Sequence, residues 1–457
     1  MKRYFILLTL VFSIFNGYAN DFSIKTGTGV VGDKINNVFL FNSLENATIE
    51  FSSEFIDSTG CKWYKYTEDP YTAEELPASD YSTDTTTSTL LKLSADCGYI
   101  VEFGDTACDL GNRCRAYMWC TQYKPIQSVS FPNPEEACES IDLRIEPVMM
   151  YVDKNGTKKV VKRFLNYSYS NFVLNETTFL PETAPVKGSN EADSLLTISP
   201  TPAIDTKFTL TDTLSKKLMG KEEKYDTDTF YTEAVVAYPI MKVDMKVDQE
   251  VDANSSNWKK DAEGRVMMAF SETFEQAIAD TSNFKTSAPV TIDLMCIPSE
   301  RVSNTGFVWD FIQGVYAEQG NFDGALPNYN AQINAYKFEE PGLHCVRLTV
   351  TSVNGKCKSS SYGCFRVAES GLWIPNAFSP NGDGDNDEFR VAYRSISSFE
   401  CNIYDEWGNK VYESDDITTG WDGDGHSLGV YFYIIEAKGT DGVSYKKKGT
   451  VSLLREK

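Results

Sequence analysis

The stretch WIPNAFSPNGDGDND, residues 373–387, decides how the end of this chain folds. Its Asn, Asp and Gly residues are typical of tight turns, because Asn and Asp bond their own backbone and Gly adopts positive φ. Three segments follow: IYDEWGNKVYES at 403–414, GWDG at 420–423 and GVYFYII at 429–435. They indicate short strands separated by turns. Residues 370–457 are therefore predicted to form a small β-sandwich domain.

These four segments, in this order, resemble the gliding-motility-associated C-terminal domain, the type B sorting domain of the type IX secretion system of Bacteroidetes. One departure is Glu406, at a position we expect to be exposed, where the family usually has Arg. The resemblance implies export across the outer membrane to the cell surface or the extracellular space. The implied partners are the type IX machinery and an outer-membrane β-barrel.

The resemblance also implies which residues carry the sorting signal, and we expect most of them to act by holding the fold. They are Pro375, Asn376, Phe378, Pro380, Asn381, Gly382, Asp383, Gly384, Asn386, Asp387, Phe389, Tyr404, Trp407, Gly408, Trp421, Asp422, Gly423, Tyr431 and Tyr433.

The N-terminus carries the pattern of a secretory signal peptide over residues 1–19. Lys2 and Arg3 precede the apolar run Tyr4–Phe15, and a small-residue site predicts cleavage after Ala19. The run is shorter than the roughly 20 apolar residues that a membrane-spanning helix needs, and no later stretch reaches that length. We therefore expect a chain exported through the Sec pathway, with no transmembrane segment.

Composition narrows the function classes. The formal net charge of −22 disfavours nucleic acid as a partner, because such binding needs clustered Lys and Arg. Tyr- and Phe-rich strand-like runs dominate, and the best helix candidate is Ser271–Asp280, with Ser271 as its N-cap. The predicted fold is mostly β, with tandem Ig-like β-sandwich domains before the C-terminal one.

Turn-rich stretches divide the mature chain. We predict an Ig-like sandwich at 20–130 with Trp63 in its core, a second β domain at 131–285 and a third domain at 286–369. The stretch Pro181–Thr206 is rich in Ser, Thr, Pro and Glu, which indicates a long loop or linker. Residues 286–369 resemble the PKD domain, an Ig-like sandwich, through WDF at 309–311 and VRLTV at 346–350, although the usual GDG after WDF is missing.

The eleven cysteines indicate disulfides within domains, since the chain is predicted to be exported. Zinc sites are disfavoured, because no CxxC pair occurs and the chain has two histidines. Cys108 with Cys114, and Cys357 with Cys364, would each close a hairpin loop, and Cys296 with Cys345 would pack on Trp309. These pairings stay open, because spacing alone does not fix connectivity. Cys401 is expected to be a free buried thiol.

Two interpretations apply to the acidic loop. Asn381, Asp383, Asp385 and Asp387 alternate as Ca²⁺ ligands do, and this is the only cofactor candidate. Neither register places Gly and Glu where an EF-hand needs them. A turn in which these side chains bond their own backbone is the favoured interpretation.

No catalytic motif emerges, so we predict a protein that is not an enzyme. His344 and Cys345 are adjacent on a predicted strand and would point to opposite faces, which excludes them as a dyad. An aromatic cluster in the first domain is a candidate ligand surface, although packing is favoured. It comprises Trp63, Tyr64, Tyr66, Tyr71, Tyr99, Tyr117, Trp119 and Tyr123.

The sequence thus predicts a type IX-secreted surface protein used for adhesion or surface interaction. The alternatives are a glycan-binding protein or a glycan hydrolase accessory protein.

Overall fold

The computed structural model describes residues 21–56, 59–108, 112–175, 177–243, 258–260, 264–279, 281, 285–323, 325 and 327–454. The signal peptide predicted at 1–19 lies outside these ranges. Strands dominate and their sheets pack in layers, which confirms the mostly-β class and the series of sandwiches. Within the described ranges, none of the helices is long and apolar enough to cross a membrane.

The first unit, residues 21–123, is a sandwich. Its strands are β1 (Asp21–Thr26), β2 (Gly29–Asp33), β3 (Val38–Phe41), β4 (Thr48–Ser52), β5 (Lys62–Tyr66), β6 (Glu74–Glu75), β7 (Tyr81–Thr83), β8 (Thr87–Leu90), β9 (Cys97–Cys108) and β10 (Asn112–Gln122). One sheet has the order β1-β4-β8-β7, and the other β2-β3-β10-β9-β5-β6. Trp63 is fully buried between them, as predicted, and its indole donates a hydrogen bond to Ser88.

The second unit, residues 128–232, packs a smaller sheet on a larger one. Its elements are β11 (Ser128–Ser130), β12 (Ile141–Glu146), β13 (Met150–Val152), β14 (Lys158–Val160), β15 (Arg163–Leu174), β16 (Pro181–Ala192), β17 (Leu195–Ile198), β18 (Thr209–Asp212), α1 (Thr213–Met219) and β19 (Lys224–Asp226). The sheets have the orders β11-β12-β17 and β16-β15-β18-β19, and β13 pairs with β14 in a separate hairpin.

The third unit, residues 237–368, is again a sandwich. It contains β20 (Ala237–Val243), β21 (Trp258–Lys260), β22 (Val266–Ala269), α2 (Phe274–Ala279), β23 (Lys285–Ser287), β24 (Val290–Pro298), β25 (Val302–Gln313), α3 (Val315–Glu318), β26 (Ile333–Phe338), β27 (Gly342–Ser352) and β28 (Lys358–Ala368). The sheets are β21-β22-β20-β24-β26 and β23-β28-β27-β25. Trp309 is fully buried between them.

The fourth unit, residues 371–453, ends the chain. Its strands are β29 (Gly371–Trp373), β30 (Ala377–Phe378), β31 (Ala392–Arg394), β32 (Ile396–Tyr404), β33 (Lys410–Ser414), β34 (Gly429–Gly439) and β35 (Ser444–Leu453). The main sheet has the order β30-β35-β34-β32-β33, and β29 pairs with β31. One face of the main sheet buries an apolar core that includes Cys401, which is a free buried thiol as predicted.

Three predictions about elements are wrong. The predicted domain border between residues 285 and 286 is wrong. Strand β20 pairs with β24, which places β20 and β22 in the third unit. The stretch Pro181–Thr206 is not a linker, because its first part forms β16, and every residue of β16 pairs with β15. The helix near 271 begins only at Phe274, because the backbone of Ser271 bonds that of Tyr362.

The cysteine pairing also differs from the prediction. Cys345 is bonded to Cys364, its neighbour across β27 and β28, and Cys357 is bonded to Cys138 of the second unit. Cys296 is a free buried thiol. It lies on β24, which belongs to one sheet of the sandwich, whereas Cys345 lies on β27 of the other sheet. Of the remaining predicted pair, Cys114 is disulfide-bonded, and the side chain of Cys108 lies outside the described residues.

The joint between the first two units contains a buried ion pair. Arg163 Nη1 lies 2.6 Å from Asp212 Oδ2, and each side chain is 2% exposed. The other guanidinium nitrogen donates to the carbonyl oxygens of Lys124 (2.6 Å) and Pro147 (3.0 Å). Tyr123, just beyond β10, donates its hydroxyl to the same carboxylate at 3.1 Å. Both buried charges at this joint are therefore paired, as buried charges require.

The later joints use other chemistry. The disulfide between Cys138 and Cys357 ties the second unit to the third across 219 residues. Ser395 of the fourth unit accepts a hydrogen bond from the Ala288 amide (3.0 Å) and donates to the Ala368 carbonyl (2.6 Å). Its own amide donates to Ser287 Oγ at 2.6 Å. Contacts, and not the connecting segments alone, hold each neighbouring pair of units.

Candidate functional site

The motif residues of the fourth unit fall into a buried set and an exposed set. Phe378, Phe389, Trp421 and Tyr431 are between 2% and 7% exposed. Their rings form one cluster, with centroids 5.3 Å apart for Phe378 and Trp421 and 4.8 Å apart for Trp421 and Tyr431. The ring of Tyr433 also belongs to this cluster, with its centroid 5.7 Å from that of Phe389. These five side chains hold the fold by burying aromatic area.

Backbone contacts fix the same cluster. The amides of Phe389 and Trp421 donate to each other's carbonyl oxygens at 2.8 and 3.1 Å, which joins two loops. Gly423 has a φ of +70°, and a Cβ there would lie 2.9 Å from the buried side chain of Leu453. Only glycine satisfies both the conformation and the space. Asp422 completes this turn by accepting from the Asp424 amide at 3.0 Å.

The acidic loop is built around the carboxylate of Asp387. Asp387 Oδ1 accepts from the amides of Asn381 (2.9 Å) and Gly382 (2.7 Å), and Oδ2 accepts from Gly384 (2.9 Å). The hydrogen bonds from Gly382 and Gly384 lower the pKa of Asp387. Asp383 Oδ1 likewise accepts from the Asp385 amide. The carboxylates of Asp383 and Asp387 thus accept hydrogen bonds from amides of their own loop and form a hydrogen-bonded turn.

The remaining loop residues support this turn. Gly382 and Gly384 have φ values of +80° and +92°, and Asn386 adopts +54°. The backbone of Asn386 accepts from Ser379 at 2.8 Å. Pro375, Asn376 and Pro380 flank β30, where the Asn376 carbonyl accepts from the Ser452 amide at 2.9 Å.

Trp407 is the exception among the aromatic motif residues, because 77% of it is exposed. It lies in the turn between β32 and β33. Asp405 builds that turn by accepting from the amides of Trp407 (3.0 Å) and Asn409 (2.8 Å), and Gly408 has a φ of +86°. The turn is complete without the indole, so packing does not account for Trp407. Glu406 beside it is exposed, as predicted.

The solvent face of the main sheet also carries exposed apolar side chains. Tyr404 pairs with Phe432 across β32 and β34, and these two side chains lie on the face opposite the core. Phe432 is 48% exposed and Val430, two residues earlier on the same face, is 52% exposed. Exposed aromatic and aliphatic side chains grouped in this way are typical of contact surfaces.

A groove of about 730 Å³ lies between the first and second units. Its walls come from the β2–β3 turn, the β13–β14 hairpin and strands β15 and β16. Ile35 is 92% exposed and Phe164 is 47% exposed, which gives the groove an apolar surface within a charged rim. The rim carries both signs of charge: Lys34, Lys159, Lys162, Glu191 and Asp193.

A hydrogen-bond network sets one wall of the groove. Asp33 Oδ2 accepts from the Tyr151 hydroxyl and from Asn36 Nδ2, both at 2.8 Å. Burial acts to raise the pKa of Asp33, but these hydrogen bonds outweigh it and the pKa is lowered. The groove therefore presents an ionised carboxylate held in a fixed orientation.

The aromatic cluster predicted in the first unit is mainly core. Trp63, Tyr66, Tyr99, Trp119 and Tyr123 are each at most 5% exposed. The other members are half-buried Tyr64 and Tyr117, and Tyr71, which is 77% exposed. The packing interpretation fits this distribution.

His344 and Cys345 face opposite sides of their sheet, as predicted. The His344 ring lies 4.6 Å from Phe338 and 5.6 Å from Phe365, whereas Cys345 contributes to the cluster under α2 and α3. Burial lowers the pKa of His344. This histidine is a core residue.

The fourth unit thus combines a buried motif core with an exposed motif turn. Residues 372–453 match the CHU_C type IX secretion signal domain, which confirms the resemblance inferred from the sequence and implies a source among the Bacteroidetes. A type IX signal directs secretion to the cell surface or the extracellular space. The protein is therefore a secreted one.

Similarity to solved structures extends over the other units at low identity. The tetra-tandem repeat of the extending region of a large adhesion protein is 10% identical and covers 91% of this chain and 98% of that one, with a TM-score of 0.20. Sidekick-1 immunoglobulin domains 1–5 are 8% identical, with coverage of 92% and 78% and a TM-score of 0.23. Dimeric latent PorU from Porphyromonas gingivalis is 12% identical, with coverage of 76% and 36% and a TM-score of 0.14. These similarities carry no functional argument. No curated protein matches the chain.

Two glycines of the fourth unit allow a matched test of the packing around Trp421. Gly423→Ala should destabilise this unit more than Gly425→Ala. Both have positive φ, +70° and +75°, and so share a backbone cost of about 1–2 kcal/mol. Only Gly423 adds a clash with Leu453, while nothing lies within 4 Å of a Cβ at Gly425. Amide hydrogen exchange of β35 in the full chain measures the difference. Equal protection in the two variants would contradict the packing role of Gly423.

Proposed function

We propose that this protein is exported through its C-terminal domain and displayed at the cell surface, where the first three units act in adhesion without catalysis. The observation that carries the proposal is the type IX signal over residues 372–453. In this proposal, residues 1–19 direct the chain through the Sec pathway to the periplasm, where it folds and forms disulfides. The type IX machinery and a partner outer-membrane β-barrel then pass it outward.

Histidine placement supports a role other than catalysis. His344 is buried, and its Nε2 lies 2.8 Å from the Glu340 carbonyl oxygen. The ring of His426 packs 5.7 Å from that of Trp421 and belongs to the targeting domain. A general acid or base has to reach a substrate. Neither histidine meets that condition in the first three units, where a displayed activity would lie.

Within the sorting signal, we assign recognition to the exposed turn and fold maintenance to the buried residues. Trp407 and the sheet face with Tyr404, Phe432 and Val430 offer apolar area that the unit does not use internally. Large aromatic side chains contribute much of the binding free energy of a protein–protein interface when the partner buries them. The inferred partner surface is therefore apolar.

Surface labelling of intact cells tests the export step. An epitope placed after Ala19 should be labelled in the full chain, and should stay periplasmic in a truncation at Ser370. The truncation removes the complete targeting domain but keeps the predicted Sec signal. Equal export of the two forms, or export of neither, would show that the C-terminal domain does not direct secretion.

A point variant tests recognition separately from folding. Trp407→Ala should lower surface labelling about tenfold or more, while the unfolding temperature stays unchanged, because the indole is 77% exposed. Trp373→Ala is the matched control, since it removes another exposed tryptophan of the same unit, 4.9 Å from the Arg394 guanidinium. Normal labelling of the Trp407 variant would remove this residue from recognition and leave the truncation result standing.

The groove favours glycan binding as a second candidate function. Sugar rings pack their C–H faces on aromatic rings, and their hydroxyl groups need both donors and acceptors. Phe164 supplies the ring, Lys34 is a donor and Asp193 is an acceptor. The same geometry would serve adhesion to a glycan-coated surface.

Binding to an oligosaccharide microarray of neutral and anionic glycans tests this candidate. Phe164→Ala should weaken binding of the full chain about tenfold, the size of a lost aromatic contact. Leu195→Ala should leave binding unchanged, because Leu195 is an exposed residue of the same unit that lies outside the groove. If the unaltered chain binds no glycan, or the two variants bind alike, the groove is not a glycan site.

A further inference from the structure

Two buried cysteines of the first unit face each other across paired strands. In the antiparallel register of β9 with β10, Cys97 lies directly opposite Cys120. The two residues are 5% and 0% exposed, and both belong to the core between the sheets. Their thiols are free in the structure. They therefore point from neighbouring strands into the same space.

The backbone already satisfies the geometry of a disulfide. Directly opposite residues of an antiparallel pair have Cα atoms about 4.5 or 5.5 Å apart. A disulfide needs a Cα separation of about 4.4–6.8 Å. The third unit has the same relation in bonded form, since Cys345 lies directly opposite Cys364 and is joined to it.

We propose that Cys97 and Cys120 are joined by a disulfide in the exported protein. The bond requires no change of strand register, because the two residues are already directly opposite each other. It assigns a covalent cross-link to the centre of the first sandwich. Formation of this disulfide requires an oxidising compartment but does not involve the C-terminal domain. An experiment that disproved the disulfide would therefore leave the proposed sorting role unaffected, and the reverse also holds.

The reaction is an oxidation of two thiols by an oxidant of the disulfide class, such as oxidised glutathione. One thiol loses its proton and attacks an oxidant sulfur, which gives a mixed disulfide and one reduced oxidant thiol. The second thiolate then attacks the protein sulfur of this mixed disulfide, and the other oxidant sulfur leaves. The two protons and two electrons of the protein thiols end on the two oxidant thiols.

The positions of the two cysteines in the sheet suit them to different steps of this oxidation. Cys97 begins β9 beside a turn, where its thiol lies 3.3 Å from the Ala95 carbonyl oxygen, so it is the partner suited to form the mixed disulfide before the sheets close. Cys120 lies inside the sheet between β3 and β9 and is suited to resolve that intermediate. Burial raises the pKa of both thiols, which leaves them protonated and unreactive in the closed sandwich. The bond should therefore form during folding, before the two sheets close.

The cross-link would also stabilise the first joint. Strand β10 carries Cys120 and ends at Gln122, and the next two residues, Tyr123 and Lys124, bond Asp212 and Arg163 of the second unit. Fixing β10 to β9 restricts the segment that carries these contacts.

Peptide mapping of the full chain tests the bond. The protein is folded in a mixture of oxidised and reduced glutathione, denatured, alkylated with N-ethylmaleimide without reduction, and digested. The expected result is a linked pair of peptides containing Cys97 and Cys120, with Cys296 and Cys401 alkylated as internal free-thiol controls. Alkylation of both Cys97 and Cys120, or linkage of either one to Cys61, would overturn the proposal.

Variants separate the bond from packing. Cys97→Ala, Cys120→Ala and the double variant should lower the urea midpoint by equal amounts, because each removes the same bond. Reductant should lower the midpoint less in these three than in the unaltered chain or in Cys401→Ala. Losses that add between the single variants, with a reductant effect equal to that of the unaltered chain, would mean that the cysteines only fill space.

Discussion

The buried ion pair of Arg163 with Asp212 is the constraint on which the arrangement of the first two units depends. Neither charge reaches water, and a buried charge that loses its partner costs about 3–5 kcal/mol. Arg163 directs its remaining donors to the carbonyl oxygens of Lys124 and Pro147, and Tyr123 donates to Asp212. These bonds form together only when the segment after β10 lies against β15 and β18. The pair therefore selects one arrangement of the units over others that would bury similar apolar area.

The other joints extend this logic along the chain with different bonds. A disulfide joins the second and third units, and Ser395 connects the third to the fourth through three hydrogen bonds to Ser287, Ala288 and Ala368. Such joints hold neighbouring sandwiches by specific polar or covalent contacts instead of flexible linkers. Each of these joints therefore restricts how far one unit can move against the next.

Sequence reasoning succeeded where the signal is local and failed where a partner is distant. Trp63 and Trp309 are core residues and the 381–387 segment is a hydrogen-bonded turn, since apolar patterning and turn chemistry reveal both. Strand β20 was assigned to the wrong unit, because its sequence does not indicate that it pairs with β24. Strand β16 resembled a linker because most of its side chains face water and carry no alternating apolar signal. The disulfide partners of Cys345 and Cys357 follow from strand register and unit contact, which spacing does not encode.

The sorting motifs were recognisable from sequence, but their division of labour was not, because burial is a property of the folded unit. Trp421 is 3% exposed and Trp407 is 77% exposed, although each stands in a short motif with glycine and acidic neighbours. Folding explains Trp421, whose ring contacts Phe378 and Tyr431. It does not explain Trp407, because the hydrogen bonds of Asp405 already complete that turn and an exposed indole adds no burial energy. In the proposed sorting role, a contact with another protein accounts for such a side chain, and recognition is assigned to the turn between β32 and β33 and not to the aromatic core.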